Sequence, residues 1–139
     1  MIIRKQDMII FAKGRTEMKQ IFAENAPKAI GPYSHGYIAG NLVFTSGQIG
    51  AYADGSPMKE TVEEQAEQAC RNVGAVLNAA GTDYDKVIKT TCYLADMNDF
   101  AVFNKVYEKY FVSKPARSCV AVKTLPAGAL CEIEAIAEL

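Results

Sequence analysis

This sequence is poor in the residues that most often announce a mechanism. It holds one histidine, His35, and four cysteines, Cys70, Cys92, Cys119 and Cys131, which are widely spaced and include no C-x-x-C pair. That inventory excludes a Cys/His zinc set. The thiols read as free cysteines of a reducing cytosol, so the expected location is cytoplasmic. Positive charge is not in excess either: 15 Lys and Arg against 16 Asp and Glu give a formal net charge of -1. A nucleic-acid backbone is therefore not the expected partner. No apolar run is long enough for a membrane span. Also missing are a G-x-S-x-G elbow, an H-E-x-x-H pair, a phosphate loop and a G-x-G-x-x-G turn.

What is present is a chain of 139 residues, half of them hydrophobic. A chain of that size forms one domain and buries roughly two thirds of the surface its unfolded form exposes. Residues 1–17 stand apart: the apolar islands Met1-Ile2-Ile3 and Met8-Ile9-Ile10-Phe11-Ala12 are interrupted by Arg4, Lys5 and Asp7 and followed by Lys13-Gly14-Arg15. They are too short for a signal-peptide core. They are set aside as an extension whose order the sequence leaves open, with a non-native or alternative start ahead of Met18 expected and a basic targeting segment as the other reading. The domain proper is expected over residues 18–139.

From Met18 the pattern alternates, then loops through Pro27, Gly31 and Pro32 to Tyr33. Tyr37–Ala39, Gly40-Asn41 and Leu42–Ser46 read as strand, turn and strand. Thr61-Val62-Glu63-Glu64 fits a capping box, and Val62, Ala66, Ala69/Cys70, Val73, Val76/Leu77 and Ala80 repeat at helical period up to Gly81. Val87–Leu94 is the next strand, with Ile88, Cys92 and Leu94 on one parity. A second helix is expected from about Asn98-Asp99, with Phe100, Phe103, Tyr107 and Tyr110/Phe111 on one face and Pro115 as its limit. Two alternating runs follow, Arg117–Lys123 and Cys131–Ala137. The predicted order is β-β-β-α-β-α-β-β, an α+β fold with about six strands and two helices on one face. Several strands are apolar on both parities, so the other face needs a cover, and another subunit supplies it.

Two groups in the last two runs can carry chemistry. Arg117 opens the first run, where its guanidinium could hold a carboxylate bidentately, and Glu132 stands near the start of the second. Each has a plain structural reading, a surface ion pair and a solvated strand face shared by Glu132 and Glu134. Cys119 shares Arg117's parity, and His35 reads as a loop histidine bonded to nearby backbone rather than a base for Ser34 or Ser46. If the two runs paired as a hairpin about Ala127, Arg117 and Glu132 would lie roughly 17 Å apart at about 3.3 Å per residue. They could then share a small substrate only across a subunit boundary.

Pro115-Ala116-Arg117-Ser118-Cys119-Val120-Ala121-Val122, Leu125-Pro126 and Glu132-Ile133-Glu134-Ala135-Ile136-Ala137 closely resemble the signature of the reactive intermediate deaminase family, the RidA branch of the YjgF group. The resemblance extends to Glu24–Pro27, Ile30–Tyr33, Thr45–Ile49, Asn98–Phe100, Asn104 and Tyr107. It implies a single RidA-like domain over 18–139, a chorismate-mutase-like fold and a homotrimer with a cleft at each subunit interface. The implied activity is that of a 2-iminobutanoate/2-iminopropanoate deaminase. Such an enzyme hydrolyses 2-imino acids or their enamines to 2-keto acids and ammonia without metal or cofactor, clearing damaging metabolites released by pyridoxal-phosphate dehydratases. By the same resemblance Arg117 binds the carboxylate, Glu132 is the acid/base, and Tyr33, Ser46, Gly47, Asn104 and Cys119 line the cleft. Cys119 then reads as a wall that orients water through its backbone. The rival readings are a ligand-sensing or protein-binding module that uses the same cleft without turnover, and a ribonuclease or translation inhibitor, against which the near-neutral charge argues.

Overall fold

A computed structural model of the chain describes residues 9–10 and 18–139. Its longest element, helix α1 (Val62–Ala80), begins at Thr61, which stays extended while its hydroxyl accepts the Glu64 N–H at 3.2 Å. The same hydroxyl donates to the Glu64 carboxylate at 2.9 Å, so the capping box closes side chain to side chain. At the other end Gly81 adopts the left-handed conformation (φ 91°). Its N–H and that of Thr82 satisfy the carbonyls of Asn78 and Leu77. The expected stripe is the inner face: Ala66, Ala69, Cys70, Val73, Val76 and Leu77 are all fully buried. Each buried Val or Leu contributes about 1.5–3 kcal/mol.

The strands are β1 (Ile9–Ile10), β2 (Met18–Ile21), β3 (Gly36–Ala39), β4 (Leu42–Thr45), β5 (Gln48–Ile49), β6 (Val87–Leu94), β7 (Ala116–Ala121) and β8 (Cys131–Glu138), with helix α2 (Phe100–Tyr110) between β6 and β7. They form one mixed sheet ordered β1-β2-β3-β4-β8-β6-β7, with β5 also pairing with β8. Among the described residues only β6 and β7 pair in parallel, which requires the crossover that α2 supplies. Thr90, Cys92, Leu94, Val43, Ile133, Ala135 and Ala137 face the helices and are buried. Phe44 and Val120, on the opposite parity, remain 40 % and 46 % exposed. The α+β architecture, with two helices on one face and the other face open, is the one the pattern predicts.

Three expectations need correction. Among the described residues there are eight strands rather than about six, because the two-residue pieces β1 and β5 are too short to show a period. The last two runs do not form a hairpin: β6 lies between β7 and β8, parallel to the first and antiparallel to the second. Ile88 does not share the inner parity of Cys92 and Leu94. A register shift between Val87 and Lys89 turns Val87 inward and leaves Ile88 44 % exposed. The expected extension 1–17 falls mostly outside the described residues; its described part, β1, pairs antiparallel with β2 at the edge of the sheet.

Two polar side chains on the inner side of α1 fix the segments that matter below. Asn72 Nδ2 donates to the carbonyls of Ile49 (2.9 Å) and Ala51 (2.8 Å), which ties down β5 and the residues after it. Gln65 donates to Lys59 O and accepts the Leu130 N–H at 2.8 Å, just ahead of β8. Asn72→Leu leaves two carbonyls without this donor. It should cost about 2 kcal/mol, read as a lower urea midpoint at unchanged slope; an unchanged midpoint would show that Asn72 does not anchor β5.

Candidate functional site

Arg117 is the second residue of β7 and is in register with Thr90 of β6, so it points to the helical side of the sheet. There Nη1 donates to Asn104 Oδ1 at 2.8 Å, and Cζ lies 4.8 Å from the centroid of the Tyr107 ring and 5.5 Å from that of Phe100. Phe100, Asn104 and Tyr107 recur at helical spacing on α2, which is why one face of that helix can bed a single guanidinium. Tyr107 stacks on Phe111 with centroids 4.5 Å apart, and burial pushes its phenol up to about 12, so it stays a neutral hydroxyl. An open cavity of about 560 Å³ adjoins the arginine, with Glu108, Val112, Lys114 and Pro115 on its rim. Lys114 holds a positive φ of 50° immediately before Pro115 and delivers β7 at this angle. Cys119 follows on the same parity, opposite Cys92, and burial raises its thiol pKa against the pull of Arg117, which leaves it protonated.

Glu132 occupies the other side. Its register partners are Tyr93 of β6 and Ile49 of β5, which puts its carboxylate on the open face of the sheet beside Glu134. Gly47 makes room for it: a Cβ there would overlap Glu132 Oε1 and stand 2.9 Å from Cδ. Tyr33, Ser46, Gly47, Glu132 and Glu134 line a cavity of about 530 Å³ whose apolar wall is Ile30, Ile49 and Pro126. The cavity also borders Ala127, a non-glycine residue held at φ 57°. Ser46 Oγ donates to Ser34 O at 2.6 Å. His35 is buried behind this loop, with Nδ1 accepting from Ala23 N–H at 2.8 Å and Nε2 donating to Pro27 O at 2.7 Å. The acceptor role of Nδ1 fixes the tautomer and commits both ring nitrogens to backbone, as expected for a loop histidine. Burial, and then the neighbouring Glu134, raises the Glu132 pKa above its ordinary value. Glu134 itself accepts from Tyr93 OH at 3.0 Å.

The seven predicted site residues therefore form two groups that do not meet within one chain: Arg117, Asn104 and Cys119 against the helices, and Tyr33, Ser46, Gly47 and Glu132 on the open face. Arg117 aligns with Thr90, which aligns with Ala135; Glu132 aligns with Tyr93. The offset is three residues along and two strands across, roughly 10 Å each way at about 3.3 Å per residue and 4.8 Å per strand, and through the sheet. This replaces the hairpin distance with roughly 14 Å in the plane of the sheet, at about 3.3 Å per residue and 4.8 Å per strand, with the side chains on opposite faces. The α2 bed of Phe100 and Tyr107, Thr90 beneath it, and Glu134 beside Glu132 were not among the predicted site residues. The spacing Phe100–Asn104–Tyr107 was the signal available for the first. Among the described residues no group of three or more His, Cys, Asp or Glu could hold a metal ion, and no helix is long and apolar enough to cross a membrane.

The family profile described as Endoribonuclease L-PSP matches residues 23–139. The chain belongs to this family, the YjgF/RidA group. Both groups of predicted site residues lie inside the matched stretch. A RutC family protein of Pyrococcus horikoshii is 52% identical over 119 residues, covering 84% of this chain and 94% of that protein. A 2-iminobutanoate/2-iminopropanoate deaminase of Salmonella typhimurium is 46% identical over 123 residues, covering 86% and 96%. The crystal structure of Escherichia coli TdcF with bound serine superposes with a TM-score of 0.84 at 42% identity, over 87% of this chain and 98% of that one.

The raised Glu132 gives this candidate site a defined pH response. Between its unfolded and folded pKa values the folded chain keeps a proton that the unfolded chain has released, so stability from this group falls as pH rises through that window. Glu134→Gln removes the like charge and should move the Glu132 titration, followed by carboxyl 13C NMR, to lower pH. A midpoint that stays put would mean that Glu134 does not act on Glu132.

Proposed function

We propose that the chain hydrolyses 2-imino acids, or their enamine tautomers, to 2-keto acids and ammonia in a cleft built from the Arg117 group of one copy and the Glu132 group of another, within a homotrimer. The observation that carries this reading is the division of the site. A cation bedded on aromatic rings, with one edge engaged by Asn104, and a carboxylate held toward its protonated form lie on opposite faces of one sheet. Neither half is sufficient alone. The partly exposed Phe44 and Val120 on the open face support a subunit as its cover.

The chemistry asks little of the protein. Arg117 grips the substrate carboxylate through its remaining N–H groups. Glu132, as carboxylate, takes a proton from water while the oxygen attacks C2 of the iminium. It returns that proton to nitrogen, then takes the remaining O–H proton as the C=O bond forms and the C–N bond breaks; ammonia leaves, the 2-keto acid remains, and Glu132 passes its proton to ammonia or water. A pKa raised toward the working pH suits a group that must both take and give a proton. Ile30, Ile49 and Pro126 offer a wall for a short aliphatic side chain, such as those of imines released by pyridoxal-phosphate dehydratases acting on serine or threonine. Cys119, protonated and on the arginine side, serves as wall rather than nucleophile, and Cys119→Ser should retain activity; a loss above tenfold would return it to the chemistry. The word endoribonuclease in the family description finds no electrostatic support in a chain of net charge -1.

The test couples a threonine dehydratase to the purified protein and follows imine decay. Arg117→Ala and Glu132→Ala should each lower the rate by about a hundredfold or more. Mixed after unfolding and refolding together, the two inactive chains should recover activity at about a quarter of the sites, the fraction at which random assembly joins two intact halves. No recovery, or a monomer by light scattering at micromolar concentration, would overturn the shared cleft.

A further inference from the structure

The aromatic bed under Arg117 contains a feature that packing alone does not require. Tyr107 is only 8 % exposed, and its hydroxyl lies 2.7 Å from Thr90 Oγ1, a side chain with 0 % exposure. A phenylalanine over a valine would fill the same space, and replacing both partners of a buried hydrogen bond by apolar groups of equal shape is nearly neutral in stability. What the hydroxyl pair adds is direction. Phe111 stacks on Tyr107 at an interplanar angle of 23°, which fixes the tilt of the ring. The bond to Thr90 fixes its remaining freedom, sliding and turning in its own plane.

Thr90 is also the residue of β6 in register with Arg117 of β7. The hydrogen bond therefore ties α2 to the sheet at the level where the arginine leaves it. The guanidinium lies over the ring that this bond holds, and Asn104, one turn earlier on α2, takes Nη1. Ring and amide move together with the helix, so the direction of the free edge depends on where α2 is pinned. We infer that Thr90 and Tyr107 act as a positioning pair that aims the free edge of Arg117 at the substrate carboxylate. Neither hydroxyl touches substrate; both act through the arginine. The inference rests on the carboxylate-binding role of Arg117 proposed above, and the experiment separates the two.

Binding of 2-oxobutanoate, the stable product, is measured by calorimetry on the assembled protein, alongside kcat and KM for the imine. Tyr107→Phe and Thr90→Val should each raise Kd and KM by about five- to tenfold while kcat changes by less than twofold, because the Glu132 half is untouched. The double variant should be no worse than either single, since both remove one bond. Thr90→Ser, which keeps the hydroxyl, should restore the parent Kd. A purely structural pair would instead lower Tm and leave Kd and KM where they were. If Arg117→Ala abolishes 2-oxobutanoate binding while Tyr107→Phe and Thr90→Val bind as the parent does, the positioning role is wrong and the carboxylate role stands. If Arg117→Ala itself binds as the parent does, the carboxylate role fails and the positioning role falls with it. Should Tyr107→Phe fail to fold, the contrast between Thr90→Val and Thr90→Ser decides alone: equal Kd values in those two would overturn the inference.

Discussion

The register of β6 is the constraint on which the rest depends. It accepts β7 in parallel on one side and β8 antiparallel on the other, and both ladders run nearly its full length. Side chains alternate across a sheet, so this double pairing decides at once that Arg117 faces the helices with Thr90, and that Glu132 faces away with Tyr93. The parallel ladder also requires a long return path, which is where α2 comes from. That helix then supplies Phe100, Asn104 and Tyr107 to the arginine it was needed to deliver. The Arg117 half of the candidate site is in this sense a product of the crossover. The Glu132 half is a product of the short β5, held against β8 by the amides of Asn72 and Gln65.

Legibility in the sequence follows the range of the interactions. Helix α1 could be read almost residue by residue, because Thr61, Glu64 and Gly81 act on their own backbone and the inner stripe repeats at a fixed period. The parity of β8 was legible for the same reason, with Glu132 and Glu134 on one side and Cys131, Ile133, Ala135 and Ala137 on the other. The pairing of β7 was not, since nothing in Arg117–Ala121 says whether its neighbour is the strand that follows or the strand before α2. The shift at Val87–Lys89 hid Ile88's side for a related reason: one extra residue reverses parity and leaves composition unchanged. Asn72 and Gln65 interrupt an apolar stripe, and only the distant carbonyls and N–H they satisfy explain their burial. Most of the candidate site residues came from the family resemblance rather than from pattern, and their division between two faces was not legible; the contact of Arg117 with Tyr107 has no local signature.

Charge is distributed as a divided site requires. Within one chain the ionised Glu132 carboxylate is disfavoured twice, by burial and by Glu134, and Arg117 on the far side of the sheet offers it no relief. A fold selected for stability alone would place the opposite charges together or replace the carboxylate by a neutral group. Keeping them apart leaves the ionised Glu132 without a compensating cation in its own chain. Under the proposed assembly that separation has a function. The arginine arrives from a neighbouring copy with part of its charge already engaged by Asn104 and the aromatic rings, so it can take up a substrate carboxylate without fully neutralising Glu132. A direct Arg117–Glu132 ion pair would pull the Glu132 pKa down and fill the space the substrate needs. Separation through the sheet prevents that pair from forming within a chain, and the bed on α2 restrains it between chains. The guanidinium must therefore be held as firmly as the carboxylate, which gives the buried bond between Thr90 and Tyr107 its place in the design.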